Sequence, residues 1–354
     1  MKVLTKRVLS VLLVLVMLCN VTGCANSRQT RYEASFLELF DTVTKIVGYA
    51  KNKEEFTEYT QLIYDELKVY HELYDIYHDY DGINNIKTIN DNAGIKPVKV
   101  DQKIIDLIKL SKEAYDLTEG KMNIALGAVL TLWHDYRERG TQDPENAALP
   151  PMEELKERAE HTNIEDVILN EEESTVFLKD PKMSLDVGSV GKGYATEQVS
   201  KTLKERGYLH VMLSVGGNLK AIGTKLTDNN KEIPWSAGVQ NPDMESENTN
   251  LYILNLEDYS LVTSGVYQRY YTVDGKQYHH IIDPNTLMPS DYFLSVSIVC
   301  KDSGMADVLT TALFNMSYED GLKFIEKFDE TQALWVFKDG SIEYTAGFEQ
   351  MIKK

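Results

Sequence analysis

Hydrophobic residues recur at helical spacing in several stretches of the chain. Within residues 54–77, Ile63, Leu67, Tyr70 and Tyr74 follow one another at steps of four and three, which places them along one side of a helix. The same pattern, together with capping residues at the ends, predicts further helices. They cover residues 102–117, 118–139, 150–159, 194–205, 303–314 and 318–328.

Other stretches alternate polar and hydrophobic residues, or form short apolar runs bounded by turn residues, as β-strands do. The predicted strands are residues 36–49, 164–169, 175–178, 183–187, 209–215, 219–223, 251–256, 260–262, 278–283, 296–300, 333–337 and 342–345. Helices interspersed with short strands predict an α+β fold with mixed, largely antiparallel sheets and helices packed around them. We expect one domain over residues 35–350.

The N-terminus has the features of a bacterial lipoprotein signal. Three basic residues precede an apolar run at residues 8–18, which is too short to span a bilayer stably, and Val21-Thr-Gly-Cys24 follows. This order predicts a signal peptide over residues 1–23, a lipid on Cys24 and a tether over residues 24–34. The protein would then be anchored to the cell membrane outside the cytoplasm. An ordinary cleaved signal or an uncleaved anchor is the alternative.

The composition limits the function further. The chain of 354 residues has 37 Lys and Arg against 55 Asp and Glu, for a formal net charge of −18. This balance argues against a nucleic-acid-binding protein, which needs a basic face. An acidic enzyme that handles a phosphorylated ligand must gather its few cations locally or use a metal ion. Processing would leave Cys24 lipidated and Cys300 as the one remaining thiol, which excludes an intrachain disulfide.

One stretch is suited to bind an anion. Residues 183–187 read as a strand, Gly188, Gly191 and Gly193 follow with Lys192 between them, and a helix begins at about residue 194. Glycines allow close approach of the backbone, and the first N–H groups of a helix carry partial positive charge. The spacing differs from that of a P-loop. A tight turn that binds nothing is the alternative.

Three more clusters follow in order: Leu213-Ser-Val-Gly-Gly-Asn-Leu219, Tyr278-His-His-Ile-Ile-Asp-Pro284 and Ala306-Asp-Val-Leu-Thr-Thr-Ala312. With the glycine turn they resemble the D-x-G-x-x-x-K-G-Y-A, V-G-G-[ND], H-H-I-x-D-P and D-x-x-x-T patterns of the FAD:protein FMN transferase family. The resemblance runs from about Phe36 to the C-terminus and includes a run similar to S-G-x-Y-x-R-Y near residue 270. It implies the family's T-fold-like catalytic domain, with FAD as substrate.

The resemblance also implies which residues contact FAD. Those that match are Phe40, Tyr80, Lys121, Met122, Asn123, Asp186, Lys192 and Ile281, with Tyr77 as the alternative to Tyr80. Two departures stand out. Phe40-Asp-Thr42 replaces a Met-Gly-Thr pattern, and Lys121-Met-Asn123 replaces a G-x-F-D-P-like turn, so that Asn123 offers hydrogen bonds without the charge of an aspartate.

Asp307 and Thr311 are four residues apart and therefore share one face of a helix. A carboxylate and a hydroxyl on one turn suit a hard cation such as Mg²⁺. The resemblance implies that Mg²⁺ binds Asp307, Thr311 and the main-chain carbonyl of Ser189, with Thr310 as the neighbouring candidate. A capping aspartate beside a packed threonine is the alternative without a metal.

Adjacent histidines on a strand point to opposite faces, so at most one of His279 and His280 lines a given pocket. The resemblance implies transfer of FMN from FAD to a threonine or serine hydroxyl of an acceptor flavoprotein, with release of AMP. His280 is the candidate general base, and His279 is second. A Mg²⁺-dependent FAD pyrophosphatase and a non-catalytic flavin-binding lipoprotein are the alternatives.

Overall fold

The computed structural model describes residues 28–354, so the predicted signal peptide and Cys24 lie outside the described residues. The helices are α1 (Lys53–Tyr74), α2 (Ile86–Asp91), α3 (Gln102–Leu117), α4 (Gly127–Gln142), α5 (Met152–Ala159), α6 (Gly191–Glu205), α7 (Ser303–Phe314), α8 (Tyr318–Ile325) and α9 (Phe348–Met351), with short 3₁₀ helices at Ile124–Leu126, Pro144–Asn146 and Ile164–Asp166. The first strands are β1 (Thr30–Phe36), β2 (Thr44–Ala50), β3 (Val98–Lys99), β4 (Val167–Asn170), β5 (Thr175–Leu178), β6 (His210–Val215), β7 (Asn218–Gly223), β8 (Lys225–Leu226) and β9 (Glu232–Ile233). The later strands are β10 (Trp235–Gln240), β11 (Asn250–Leu256), β12 (Ser260–Gly265), β13 (Tyr270–Val273), β14 (Lys276–His279), β15 (Phe293–Cys300), β16 (Gln332–Phe337) and β17 (Ile342–Tyr344).

Eight strands form the main sheet, in the order β1-β2-β6-β7-β12-β15-β16-β17. All of its ladders are antiparallel. A two-residue turn at Gly216 and Gly217 joins β6 to β7 and pairs Val215 with Asn218. Both glycines have positive φ, +56° and +95°, a conformation that glycine adopts without strain. This glycine pair therefore fixes where β7 begins.

Helices cover one face of the sheet and a hairpin covers the other. Leu213 and Val215 of β6 are fully buried in the same cluster as residues of α1 and α6. On the opposite face, Trp235, Leu254 and Phe348 bring β10, β11 and α9 against the sheet. The predicted α+β fold in one domain is therefore confirmed, and every ladder among residues 28–354 is antiparallel.

The two helices that carry the predicted chemistry lie side by side. α6 packs against α7, and α7 lies on β12 and β15. The prediction of a helix over residues 303–314 is confirmed. The Asp302 side chain caps its start by accepting the Met305 N–H at 2.9 Å. No helix within residues 28–354 is both long enough and apolar enough to cross a membrane.

Several predicted elements differ from the structure. The predicted strand over residues 278–283 ends at His279, the last residue of β14, and His280 lies in a bend. Of the predicted strand over residues 36–49, only the part from Thr44, where β2 begins, is a strand beyond Phe36, the last residue of β1. The residues between them form a turn in which Phe40 and Asp41 adopt left-handed φ of 56° and 50°. Residues 183–187 form no ladder; Asn90 takes the place of a neighbouring strand, accepting from the N–H of Leu185 and donating to its carbonyl. The helix predicted from residue 118 begins only at Gly127.

Candidate active site

A cavity of about 1090 Å³ opens beside the start of α6. Its wall is built from the β1–β2 turn, the end of α1 with the loop that follows, α4, the glycine turn, and the segment from β12 to α7. The predicted site residues that line it are Phe40, Tyr80, Lys121, Asn123, Asp186, Ser189, Lys192, His280, Ile281, Asp307 and Thr311. The fold thus brings together residues that are up to 271 positions apart in numbering, from Phe40 to Thr311.

The start of α6 leaves one main-chain carbonyl available. In a regular helix the Gly193 N–H would bond to the Ser189 carbonyl, four residues earlier. Here it donates instead to Oδ2 of Asp307 at 2.8 Å. No other group of residues 28–354 donates a hydrogen bond to the Ser189 carbonyl. A hard oxygen acceptor is therefore present beside the cavity.

Gly193 is required by the close approach of α7. A Cβ atom at this position would lie 2.3 Å from the Ser303 carbonyl oxygen and 2.5 Å from Cβ of Asp307, so only glycine fits without movement. Asp307 is almost fully buried. Burial raises its pKa, and Lys192, the Gly193 N–H and the Asn218 side chain partly offset that effect.

Thr310 and Thr311 differ in what their hydroxyls contact. Thr310 is fully buried, and its hydroxyl donates to the Asp307 carbonyl at 2.8 Å. Thr311 lines the cavity. The donor set that faces the cavity therefore consists of Ser189, Asp307 and Thr311, all hard oxygen atoms of the kind Mg²⁺ prefers. Residues 28–354 contain no group of three or more His, Cys, Asp or Glu side chains placed to hold a metal.

Asp186 and Lys192 shape the glycine turn. Oδ1 of Asp186 accepts the Gly188 N–H at 2.8 Å, and Nζ of Lys192 donates to the Gly188 carbonyl at 3.3 Å. Lys192 therefore places a positive charge where the first N–H groups of α6 also favour an anion. Contact of Asp186 and Lys192 with FAD stays a prediction.

The segment Lys121–Asn123 is largely occupied by internal contacts. Lys121 pairs with the buried Asp283 at 3.3 Å, which ties this turn to the segment after His280. The side chain of Met122 is fully buried and does not line the cavity, and its contact with FAD stays a prediction. Asn123 caps the 3₁₀ helix, since its Oδ1 accepts from Ala125 and its Nδ2 donates to Thr162. Its amide holds the local fold.

An aromatic cluster forms another part of the wall. The Phe40 N–H donates to Nδ1 of His71 at 3.2 Å, and the Tyr80 hydroxyl donates to Asp75 at 2.8 Å while lying 3.3 Å from Nε2 of His71. His71 thus links the strained β1–β2 turn to Tyr80. The Tyr77 ring also lines the cavity, so both candidate aromatic residues do.

The two histidines have different environments. His279 is buried; its Nε2 donates to the Ser290 carbonyl at 2.7 Å, and its Nδ1 accepts the Ile281 N–H at 3.2 Å. Both nitrogen atoms are therefore used within the fold. His280 lines the cavity, with Nδ1 3.3 Å from the Arg269 carbonyl. If Nδ1 carries the proton, Nε2 keeps a free lone pair.

Two arginines near His280 were missed by the sequence reasoning. Burial and the positive charges of Arg269 and Arg137 together lower the pKa of His280 to about 3. His280 is thus neutral at pH 7. Arg269 lies in the S-G-x-Y-x-R-Y-like run, which was the only available signal. Arg137 lies on α4 with no motif around it.

These features define a cavity that combines hard oxygen acceptors, several cations and a neutral imidazole. The sequence profile of the ApbE family matches residues 40–335. The FAD:protein FMN transferase of Treponema pallidum is 31% identical over 278 residues, 76% of this chain and 75% of that protein. A protein of the same name from Klebsiella pneumoniae is 30% identical over 264 residues, 73% of this chain and 77% of that protein.

Solved structures agree with this relationship. The ApbE protein of Thermotoga maritima superposes with a TM-score of 0.79 at 28% identity, covering 92% of this chain and 100% of that one. The flavin transferase ApbE from Vibrio cholerae, at 22% identity, has the same fold, with a TM-score of 0.74 over 92% of this chain and 100% of that one. The chain belongs to the ApbE family.

Proposed function

We propose that the protein transfers FMN from FAD to a threonine or serine hydroxyl of an acceptor flavoprotein and releases AMP. Membership of the ApbE family supports this proposal, because relatives at 30% and 31% identity carry the name FAD:protein FMN transferase. A cavity of about 1090 Å³ that contains an anion-binding helix start, hard oxygen donors and a neutral histidine supports it independently.

The observation that carries the proposal is that Ser189, Asp307 and Thr311 line one cavity, with the Asp307 carboxylate held at the start of α6 by the Gly193 N–H. Mg²⁺ in phosphoryl-transfer enzymes is commonly held by one or two carboxylates together with phosphate oxygens of the substrate. One carboxylate, one carbonyl and one hydroxyl fit that pattern. Bound Mg²⁺ would neutralise charge on the diphosphate of FAD.

The chemistry requires mainly positioning and charge stabilisation. The hydroxyl oxygen of the acceptor bonds to the FMN phosphorus, while the bond from that phosphorus to the bridging oxygen breaks. AMP leaves with the bridging oxygen, and Nε2 of His280 takes the hydroxyl proton. Lys192 and the start of α6 hold the diphosphate in place during this exchange.

The cations around His280 link substrate binding to its basicity. Burial, Arg269 and Arg137 lower the pKa of His280 to about 3 without substrate. A diphosphate bound among these cations would raise that pKa again, because a nearby negative charge favours the imidazolium. FAD binding therefore prepares His280 to accept a proton.

Product analysis tests the proposal. The protein is mixed with FAD, Mg²⁺ and an acceptor flavoprotein in its unflavinylated form, and the products are separated. Covalently flavinylated acceptor with an equal amount of AMP supports the transferase. Free FMN with AMP would instead identify an FAD pyrophosphatase, and intact bound FAD would identify a binding protein.

We also propose that a lipid on Cys24 holds the enzyme at the cell membrane, on the outer side. The support is the charged start, the apolar run and the Val-Thr-Gly-Cys sequence, all outside the described residues. Cys24→Ala should move the protein from the membrane fraction to the soluble fraction or block its processing. A mature N-terminus elsewhere, found without lipid by mass spectrometry, would refute this proposal.

A further inference from the structure

Two arginines line the cavity on the side formed by α4 and the segment before β13. Gly140 of α4 lies against the ring of Tyr271, where a Cβ atom on Gly140 would be 2.6 Å from Cδ2 of the tyrosine. Arg137 is one turn before Gly140 on α4, and Arg269 is two residues before Tyr271, in the bend that precedes β13, so both arginines lie close to this contact. The packing that joins α4 to β13 therefore also brings Arg137 and Arg269 together.

Neither arginine forms a direct ion pair with a carboxylate among residues 28–354, although the charge of Asp186 raises the pKa of Arg137 and offsets part of the effects of burial and of Arg269. The ion pairs formed by arginines within residues 28–354 involve Arg28, Arg31 and Arg158. The Arg137 guanidinium instead donates to Nδ1 of His134 at 2.9 Å, which orients it. Burial lowers the pKa of Arg137, and the charge of Arg269 lowers it further. Two like charges in one cavity are unfavourable until an anion joins them.

This pair is separate from the groups at the start of α6. Lys192, Ser189 and Asp307 belong to the wall formed by the glycine turn, α6 and α7, whereas Arg137 and Arg269 belong to the wall formed by α4 and the segment between β12 and β13. Both sets of charges lower the pKa of His280, and Arg269 and Arg137 lower it more than Lys192 does. A dinucleotide that spans the cavity carries two phosphate groups, and guanidinium groups bind phosphate through paired hydrogen bonds.

We propose that Arg137 and Arg269 form a second phosphate-binding subsite, which holds one phosphate group of the flavin dinucleotide away from the Ser189–Asp307–Thr311 donors. This inference rests on the proposed function for the identity of the ligand. It assigns binding roles to two residues for which the sequence predicted none. The subsite would recognise either the phosphate on the FMN side or the one on the AMP side.

The test measures the affinity of the full-length protein for FAD and for riboflavin in the presence of EDTA, so that no metal-dependent turnover occurs. Arg137→Gln and Arg269→Gln should each weaken FAD binding by about 10- to 100-fold, as expected for the loss of a charge-assisted hydrogen bond. Riboflavin, which has no phosphate, should bind as to wild type. Arg139→Gln is the matched control, because Arg139 is exposed on the same helix and does not line the cavity.

FMN and AMP, titrated separately, show which phosphate the pair holds, because that nucleotide should lose affinity in both variants. Arg137→Lys and Arg269→Lys, which keep the charge, replace the Gln variants if those fail to fold. Unchanged FAD affinity would overturn the subsite, and so would equal losses for FAD and riboflavin. A higher KM for the acceptor at unchanged FAD affinity would also overturn it and would assign the arginines to acceptor docking.

The outcomes separate this inference from the proposed function. Arginine-dependent FAD binding in a protein that transfers no flavin would support the subsite and reject the transferase. Flavin transfer by a protein whose FAD binding does not depend on the arginines would support the transferase and reject the subsite. If the wild-type protein bound none of FAD, FMN and AMP, both the subsite and the transferase would be rejected.

Discussion

At the residue scale, His279 and His280 have different environments although they are adjacent, because His279 is the last residue of β14 and His280 lies in the bend that follows. His279 uses both ring nitrogens within the fold, bonded to the Ser290 carbonyl and the Ile281 N–H. His280 lies in the cavity wall beside Arg269. The sequence could predict that only one of them reaches the pocket, but the packing of Phe314 against His279 shows which one is buried.

His280→Asn should separate catalysis from folding. Loss of a general base lowers the rate by roughly 10²–10⁴, so we expect transfer to be at least about a hundredfold slower while FAD affinity and the melting temperature change little. Single-turnover transfer, FAD titration and a thermal melt on one preparation measure these quantities. His279→Asn is the control and should lower the melting temperature. Near-normal transfer by His280→Asn would reject its role as base.

His279 also predicts how stability depends on pH. Burial lowers its pKa from 6.5 to about 4, so between these values the unfolded chain binds a proton that the folded protein does not. Acidification through this range therefore favours unfolding, by about 1.4 kcal/mol per pH unit for one proton.

Urea unfolding at several pH values between 6.5 and 4 checks this dependence. The free energy of unfolding should fall more steeply for wild type than for His279→Gln, whose amide can still donate to the Ser290 carbonyl. Parallel curves for the two proteins would show that His279 does not titrate in this way.

At the element scale, the site depends on the contact of α6 with α7. Gly193 of α6 meets Asp307 of α7, and one turn further along, Glu197 accepts the Ser303 N–H at 2.9 Å. Glu197 is in turn paired with the buried Lys220 of β7 at 3.0 Å. These two sets of contacts fix the position of the Asp307 carboxylate relative to the start of α6.

Gly193→Ala should disrupt the contact between α6 and α7. Its Cβ would lie 2.3 Å from the Ser303 carbonyl oxygen, and overpacking of this kind costs about 1–3 kcal/mol. We expect a lower free energy of unfolding in urea and slower flavin transfer. Gly191→Ala is the matched control for stability, because its Cβ would meet Tyr74 at 3.4 Å, an ordinary contact. Equal stability of the two variants would contradict the close-packing explanation.

The sequence predicted elements well where local signals were complete. The helix over residues 303–314 has both an apolar face and an Asp302 cap, and its bounds are confirmed. Residues 183–187 are apolar and β-like, but Asn90, 95 positions from Leu185, supplies the hydrogen bonds of a strand neighbour. Such a distant partner leaves no local pattern. Two consecutive left-handed residues, Phe40 and Asp41, were likewise unpredictable because neither is glycine.

At the scale of the whole molecule, nearly all of the site residues that the resemblance implied within residues 28–354 line one cavity. Met122 is the exception among the described residues, because an apolar side chain beside a turn fits the core equally well. The position of Arg137 in the cavity could not be predicted from the sequence, because a single basic residue on an otherwise ordinary helix resembles a surface residue. Its position depends on how α4 packs against β13. In a chain with a net charge of −18, such local cations decide where an anion can bind.

If the cavity transfers FMN with the help of the Ser189–Asp307–Thr311 donors, an acceptor protein must gain the flavin only when Asp307 is present. Intact-mass spectrometry of an acceptor flavoprotein, after incubation with the enzyme, FAD and Mg²⁺, tests this requirement most directly. Wild type should add the mass of one FMN less one water to the acceptor. Asp307→Ala, with a nearly unchanged thermal melt, should add nothing at any Mg²⁺ concentration. An unmodified acceptor with wild type, or full modification by Asp307→Ala, would contradict the account.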